Sequence, residues 1–429
     1  MAAPRDNLGR LPWIALQIIL RYLPDLPTVF CLLEASELVR NVVLFQVSLF
    51  ADIIEDNINR PVAEGGLHPD NRKLLRIFAL ISWRTMSGLH ENNPLPRLYR
   101  SVIPALANAI SMPPLAYSIS QHGGSQARTC FASERLHKSI PSMVIYGMIK
   151  FAALAQQISH GCFRDCMARC LSLPLRQPHP NERPIADLSF SSRPDGIPLI
   201  PVNQGPPTYW EEQRLLRTTL RFLLFWDLKD ATERGVISVN SHVDETFFSS
   251  NNVEEYWCGL PQHGSLEGGT RSRIFWSEVY QMRLFLSWVR SLNPGVPLSR
   301  DCLQSFLSDS RLSMPYCPLT PVSPGAQLSM DMTMTVGIPP VQSILIILRH
   351  HIREFDDKDV QFFTQFGFDF WDHERLKDFG LTNDILGSNH AWNTDQPGLS
   401  RNLFRLGFVW SSILPAPRWK ICRRSFVEE

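Results

Sequence analysis

Leu11-Pro12-Trp13-Ile14-Ala15-Leu16-Gln17-Ile18-Ile19-Leu20-Arg21-Tyr22-Leu23-Pro24-Asp25-Leu26 is apolar at nearly every position up to Pro24. Between Trp13 and Leu23 only Gln17 and Arg21 interrupt the run. They stand one helical turn apart, so a helix here carries a single narrow polar strip. A helix that is hydrophobic almost all round is buried on more than one side. Its own domain covers one side, and the second predicts a partner protein. The stretch therefore predicts the start of a small helical docking module.

The residues that follow continue the module. Asp25 is placed to cap a second helix, in which Leu26, Val29, Phe30 and Leu33 recur at i, i+3, i+4 and i+7. Ser36 is placed to cap a third. That helix is expected to carry Val39, Val43, Val47, Phe50 and Ile54 along one face, with Asp52 and Glu55 turned away. Three short helices bury little core alone, so they must lean on a partner or on the following domain.

The Leu-Pro helix, the turn Leu23-Pro24-Asp25-Leu26 and an apolar helix ending near Ser36 resemble a fungal F-box or F-box-like domain. That resemblance implies docking to the Skp1 adaptor of a cullin-based ubiquitin ligase, with the remainder of the chain capturing a target protein. The docking residues it implies are Leu11, Pro12, Leu16, Ile19, Leu23, Leu26 and Leu33. The chain departs from the family at Ile14, where many members carry Glu, and over residues 39–47, which lack the family's Cys and Trp. The other reading of the same helices is an N-terminal subdomain packed on the rest of the chain.

At 429 residues the chain is long enough for about two or three domains or one large irregular one. Hydrophobic residues at 44% against 19% charged describe a globular protein with a substantial core. A net charge of +1 argues against a nucleic-acid binder, which needs a concentrated basic surface. No segment reaches the roughly 18 apolar residues of a membrane span. Residues 11–20 imitate a signal-peptide core, but Asp6 precedes them, Arg21 closes them and no small-residue cleavage site follows, so secretion is not expected. Nine cysteines, an odd number spread along the chain, fit a reducing compartment, cytoplasmic or nuclear. The basic group Arg418, Lys420, Arg423 and Arg424 is a short candidate nuclear address; its Trp419 and Ile421 favour an ordinary tail.

The expected fold is mostly α: a three-helix F-box-like module over residues 1–60, then a large irregular α-helical region over 61–429 that binds the partner or target. Residues 74–89 and 98–110 are predicted helices, and 140–173 form a long apolar segment. Long Pro-rich loops are expected at about 174–207 and 293–340. Residues 236–239 and 243–248 are predicted to pair as a small hairpin.

Thr208 and Glu211 stand at capping-box spacing, opening a helix to Leu228 with Leu216, Leu220 and Leu223 facing inward. Arg214, Arg217 and Arg221 form a stripe on it. Such a stripe either holds a carboxylate or phosphate, or forms a solvated face paired with Glu211, Glu212 or Asp227; the second is expected. Trp210-Glu211-Glu212-Gln213-Arg214-Leu215-Leu216-Arg217 with Trp226-Asp227-Leu228 resembles a Trp-x-Glu-Glu-x-Arg-x-x-Arg pattern of large fungal F-box-like proteins. Phe366-Gly367-Phe368-Asp369-Phe370-Trp371-Asp372-His373-Glu374-Arg375-Leu376 and Val409-Trp410-Ser411-Ser412-Ile413-Leu414 are similar to patches near the end of that group. Phe275-Trp276-Ser277-Glu278, with Arg283, faintly repeats the Trp210 phrase.

Candidate chemistry is sparse. His160, Cys162, Cys166 and Cys170 fall near one helix face with zinc-compatible donors, but no second ligand pair accompanies them, and small cysteines packed in a core are the expected explanation. His350-His351 with Glu354, Asp356 and Asp357 lacks His-Glu-x-x-His spacing. The glycines of residues 264–269 lack the phosphate-cradling Lys, and His122-Gly123-Gly124 has no nucleophile elbow beside it. No catalytic residue, cofactor, metal or membrane contact is expected. The function classes left are a ligase specificity subunit, a non-catalytic scaffold that does not bind Skp1, and an enzyme that requires an enclosed polar pocket.

Overall fold

The structure is a computed structural model that describes residues 8–87, 135–136, 138, 140–180, 196–203, 205–234, 270–292, 294–296, 298, 363, 365–382 and 397–413. These residues are mostly helical, as expected. The chain divides into two compact units interleaved in sequence. The first takes in residues 1–161, 207–264 and 290–336; the second takes in 162–206, 265–289 and 337–429.

The first unit opens with a single 3-10 turn, Leu8–Arg10, followed by α1 (Trp13–Tyr22), α2 (Leu26–Ala35), α3 (Glu37–Phe45) and α4 (Val47–Ile58). α1 stops where Pro24 holds Leu23 extended. α2 starts on the Asp25 side chain, which accepts the Thr28 amide at 2.8 Å. α3 starts on the Ser36 hydroxyl, which accepts the Val39 amide at 3.1 Å. The expected third helix is in fact two. The ladder breaks at Gln46 (φ −99°, ψ 61°), with no Gly or Pro at the break, so the module has four helices. Glu55, expected to face solvent, is buried and ion-paired with buried Arg76. The reason is coverage: α1, α2 and α3 pack on α4, while the Arg76 side lies over it as well.

Among the described residues, α5 (Pro69–Ser87), α6 (Ser142–Leu171) and α7 (Tyr209–Glu233) follow in this unit, α6 through its residues up to 161. α7 begins on the expected capping box: the Thr208 amide donates to Glu211 Oε2 at 2.9 Å, and the Glu211 amide donates to Thr208 Oγ1 at 3.3 Å. α7 packs chiefly on α5. Gln213 stitches the approach to α5 onto α7, its Oε1 accepting from the His68 amide at 2.9 Å and from Asn71 Nδ2 at 2.8 Å. Leu216, Leu220 and Leu223 are buried as expected. The arginine stripe is not a solvated face. Arg214 and Arg217 are buried, Arg221 is half-buried, and Arg217 lies 3.6 Å from Asp70 of α5.

The second unit contains the end of α6, most of α8 (Thr270–Leu292), α9 (His373–Asp378) and α10 (Pro397–Ile413). α6 meets α8 where Trp288 Nε1 donates to Asp165 Oδ2 at 3.0 Å, and Arg375 of α9 lies beside Met167 of α6. Within the expected Pro-rich loop, β1 (Arg176–Gln177) and β2 (Ile197–Pro198) pair antiparallel, Arg176 opposite Pro198. The late sequence patches supply an aromatic core. Trp410 packs edge-on to Phe363 and Phe368 and donates Nε1–H to the Leu381 carbonyl at 2.9 Å. Arg375 is buried over the Phe163 and Trp371 rings and donates to the Pro206 carbonyl at 2.7 Å. Gly367 turns the chain at φ +84°, where an added Cβ would stand 2.8 Å from Trp371 Cζ2.

Residues 275–278 fall within α8. The predicted helix at 98–110, the predicted hairpin, the 122–124 and 264–269 glycine loops, the His350 group and the basic group at 418–424 lie outside the described residues. No helix among the described residues is long and apolar enough to cross a membrane.

Candidate functional site

Among the described residues, α1 carries the longest row of exposed large apolar side chains. Leu16 and Leu20 point into the module and are buried, α4 being the main packing partner of α1. Ile14, Ile18 and Tyr22, spaced four residues apart on the opposite arc, are 70%, 53% and 82% exposed. Three large apolar side chains in one row on a short helix form a surface that monomers seldom leave uncovered. Two further apolar side chains on α3, Leu38 and Phe45, are also exposed, one heptad apart and so on one face.

The C-terminal end of α1 is held from α4 and the residues after it. Asn57 Nδ2 donates to the Leu20 carbonyl at 3.0 Å. The Arg60 guanidinium donates to the carbonyls of Arg21 at 3.1 Å and Leu23 at 2.6 Å, to Pro24 O and to Asn57 Oδ1 at 3.0 Å. These donors satisfy carbonyls that a helix end leaves without partners, and the Arg60 cation complements the negative end of the α1 dipole. Sequence reasoning missed both residues.

The docking residues expected from sequence are dispersed by the fold. Leu16, Leu26 and Leu33 lie in the module core, Leu11, Ile19 and Leu23 are half-buried, and Pro12 is exposed. The three buried side chains cannot meet a partner without unfolding the module. Leu11, Pro12, Ile19 and Leu23 keep some exposure, and the most exposed row on α1 is Ile14, Ile18 and Tyr22. The signal that marks this arc was present in the sequence: exposed Arg21 and half-buried Gln17 lie on it. The narrow polar strip identifies the outer face, and the apolar residues beside the strip are the accessible ones.

The candidate metal group has other employment. His160 Nε2 lies 2.6 Å from Glu212 Oε1, which also accepts from Gln156 Nε2 at 3.1 Å. Cys162, Cys166 and Cys170 are buried free thiols. Burial pushes the Cys162 and Cys170 thiols well up, with neighbouring Cys166 adding to the effect. Cys170 donates its proton to the Phe366 carbonyl at 2.8 Å. Zinc binds thiolates, and the upward shift of Cys162 and Cys170 works against forming them. Among the described residues no three His, Cys, Asp or Glu side chains are placed to share a metal.

The titratable cluster between α5 and α7 is structural. Burial lowers the His68 imidazole to about 4, with Arg217 and Arg72 acting the same way against the opposing pull of Asp70. Burial alone would raise Asp70, but Arg217, then His68, Arg221 and Lys73 outweigh it and hold the carboxyl below its ordinary value. A neutral imidazole and an ionised carboxylate 3.7 Å apart match an acid–base pair only in composition, since His68 is buried and its turn is bonded to α7.

One small cavity in the first unit, with a volume of about 20 Å³, is lined by Pro24, Leu26, Asn57, Leu75, Gln156 and Leu216. Its polar members already serve the fold: Asn57 holds α1 and Gln156 holds Glu212. No nucleophile paired with a base lines it. No protein-family model, curated protein or solved structure matches the chain.

Proposed function

We propose that the chain is a substrate-recognition subunit of an SCF-type ubiquitin ligase: its N-terminal module docks a Skp1-type adaptor and the larger remainder binds a target protein. The observation that carries this is the exposed row Ile14, Ile18 and Tyr22 on a helix whose other side is already buried in its own module. The F-box-like order of the sequence, with the Leu23–Leu26 turn and the Asp25 and Ser36 caps in their expected places, supports the choice of adaptor. The subunit acts by proximity, holding a target beside the conjugating machinery, so none of its side chains performs chemistry. The free thiols among the described residues suit a reducing compartment, cytoplasm or nucleus.

A second reading has its own observation. Leu16, Leu26 and Leu33 are spent on the core and Glu55 of α4 is ion-paired to Arg76 of α5, which is how a module used as internal architecture is built. That reading makes the chain a non-catalytic scaffold that does not bind Skp1.

The test is co-purification of the tagged full-length chain with a Skp1-type adaptor, beside Ile18→Asp. Ile18 is exposed, so the substitution should leave the circular dichroism spectrum unchanged while recovery of the adaptor is lost. A folded wild-type chain that recovers no adaptor moves the function to the scaffold reading. Adaptor retained by Ile18→Asp removes the α1 row from the docking surface.

A further inference from the structure

The exposed arc of α1 combines an apolar row with a cation. With 100° per residue and Ile14 as origin, Ile18 and Tyr22 lie about 40° and about 80° round the helix, and Arg21 lies about 20° to the other side. Arg21 is exposed and stands one turn beyond Ile18, in line with Ile14. α1 itself contains no Asp or Glu. The acid that follows it, Asp25, is buried and accepts from Thr28, so it is committed to starting α2. The arc is therefore apolar with a positive edge.

We propose that this arc receives an amphipathic helix of a partner protein whose apolar stripe is bordered by a carboxylate, which Arg21 engages. This rests on the docking reading above and names the chemistry of the face that fits it. The apolar row supplies the area removed from water, and the guanidinium, with its forked donors, fixes the register of the carboxylate. Two other occupants fit less well. A second copy of the chain meeting the arc through a two-fold axis would bring Arg21 near Arg21, a like-charge contact that opposes association. An anionic membrane is held by clusters of about 4–8 basic residues, and this arc presents one.

The experiment uses the full-length chain and two synthetic helical peptides with the same leucine stripe, one bordered by Glu and the other by Lys, titrated by fluorescence anisotropy. The Glu peptide is expected to bind about tenfold more tightly at low salt, with the difference shrinking as salt rises. Arg21→Glu should reverse the preference, and Ile18→Asp should abolish binding of both. Equal binding of the two peptides, or a preference that Arg21→Glu leaves in place, overturns the proposal. So does sedimentation with phosphatidylserine vesicles that Ile18→Asp abolishes while neither peptide binds. Arg21-dependent binding of the Glu peptide by a chain that recovers no Skp1-type adaptor supports the carboxylate-bordered partner and refutes the adaptor reading alone.

Discussion

Arg76→Met should destabilise the first unit more than any surface change, because it strands a buried carboxylate. Arg76 and Glu55 are both almost fully buried and are in direct contact. Glu55 Oε1 also accepts from Asn59 Nδ2 at 2.8 Å, and Oε2 from the Leu136 amide at 3.0 Å. Arg76 also reaches Asn59 Oδ1 at 2.8 Å. Methionine keeps much of the arginine stem's volume but removes the charge, leaving Glu55 with two neutral donors and no cation hydrogen-bonded to it, Arg72 acting only from farther off. Breaking a buried pair from one side costs about 3–5 kcal/mol. Glu55→Gln alone strands the arginine instead. The double variant leaves a neutral amide whose single oxygen keeps one of the two donors, Asn59 or Leu136, and strands no charge, so it should be less damaging than the sum of the two singles, with a coupling energy of about 2 kcal/mol or more. Urea unfolding of the four proteins, followed by far-UV circular dichroism and tryptophan fluorescence, measures this. Because the chain has two compact units, the transition to compare is the one the substitutions move. A loss below about 1 kcal/mol for Arg76→Met, or strict additivity, would refute the claim that this pair holds α4 to α5.

Three further outcomes follow from the structure. Gly367→Ala should cost about 1–3 kcal/mol and disturb the near-UV signal of Trp371, since φ is +84° and the new methyl meets the indole; an unchanged urea midpoint would contradict this. His68, lowered to about 4 from 6.5, binds fewer protons in the folded than in the unfolded chain, so its contribution is fully present above pH 6.5 and lost as pH falls through about 4. The shift corresponds to about 3 kcal/mol, and urea midpoints from pH 7 to 4 should fall less steeply in His68→Gln than in the wild type. Peptide mapping after iodoacetamide treatment should find exposed Cys31 alkylated in the native chain and Cys162, Cys166 and Cys170 protected until denaturant is added. The Cys31 rate should climb at higher pH than an ordinary thiol's, because partial burial and the charges of Asp25 and Glu34 raise it.

Much of the local structure was legible because its causes are local. A side-chain oxygen placed to accept an amide two or three residues on starts a helix wherever it occurs, and Asp25, Ser36 and Thr208 do so here. Leu216, Leu220 and Leu223 were legible for a similar reason, as a row at helical spacing. The break at Gln46 was not, since neither Gly nor Pro marks it and the apolar spacing from Val39 to Ile54 suits a continuous helix. The exposed apolar row of α1 was half legible. An α1 that is apolar nearly all round carries little periodicity, so Leu16 and Ile18 look alike until neighbours are placed, and only Gln17 and Arg21 betray the outer arc.

The sequence by itself determined where helices begin, that the chain is mostly helical, and that its N-terminal run forms a compact helical group, because caps, prolines and apolar spacing act over a few residues. Tertiary structure alone decided which faces those helices bury. Arg214 and Arg217 have the spacing of a solvated stripe, yet α5 covers that face and Asp70 stands beside Arg217. Glu55 has the position of an outward carboxylate, yet Arg76 meets it in the interior. In α1 the choice between Leu16 and Ile18 as the buried residue rests on where α4 lies. Burial is a property of what covers a residue, and what covers these residues comes from positions distant in the chain.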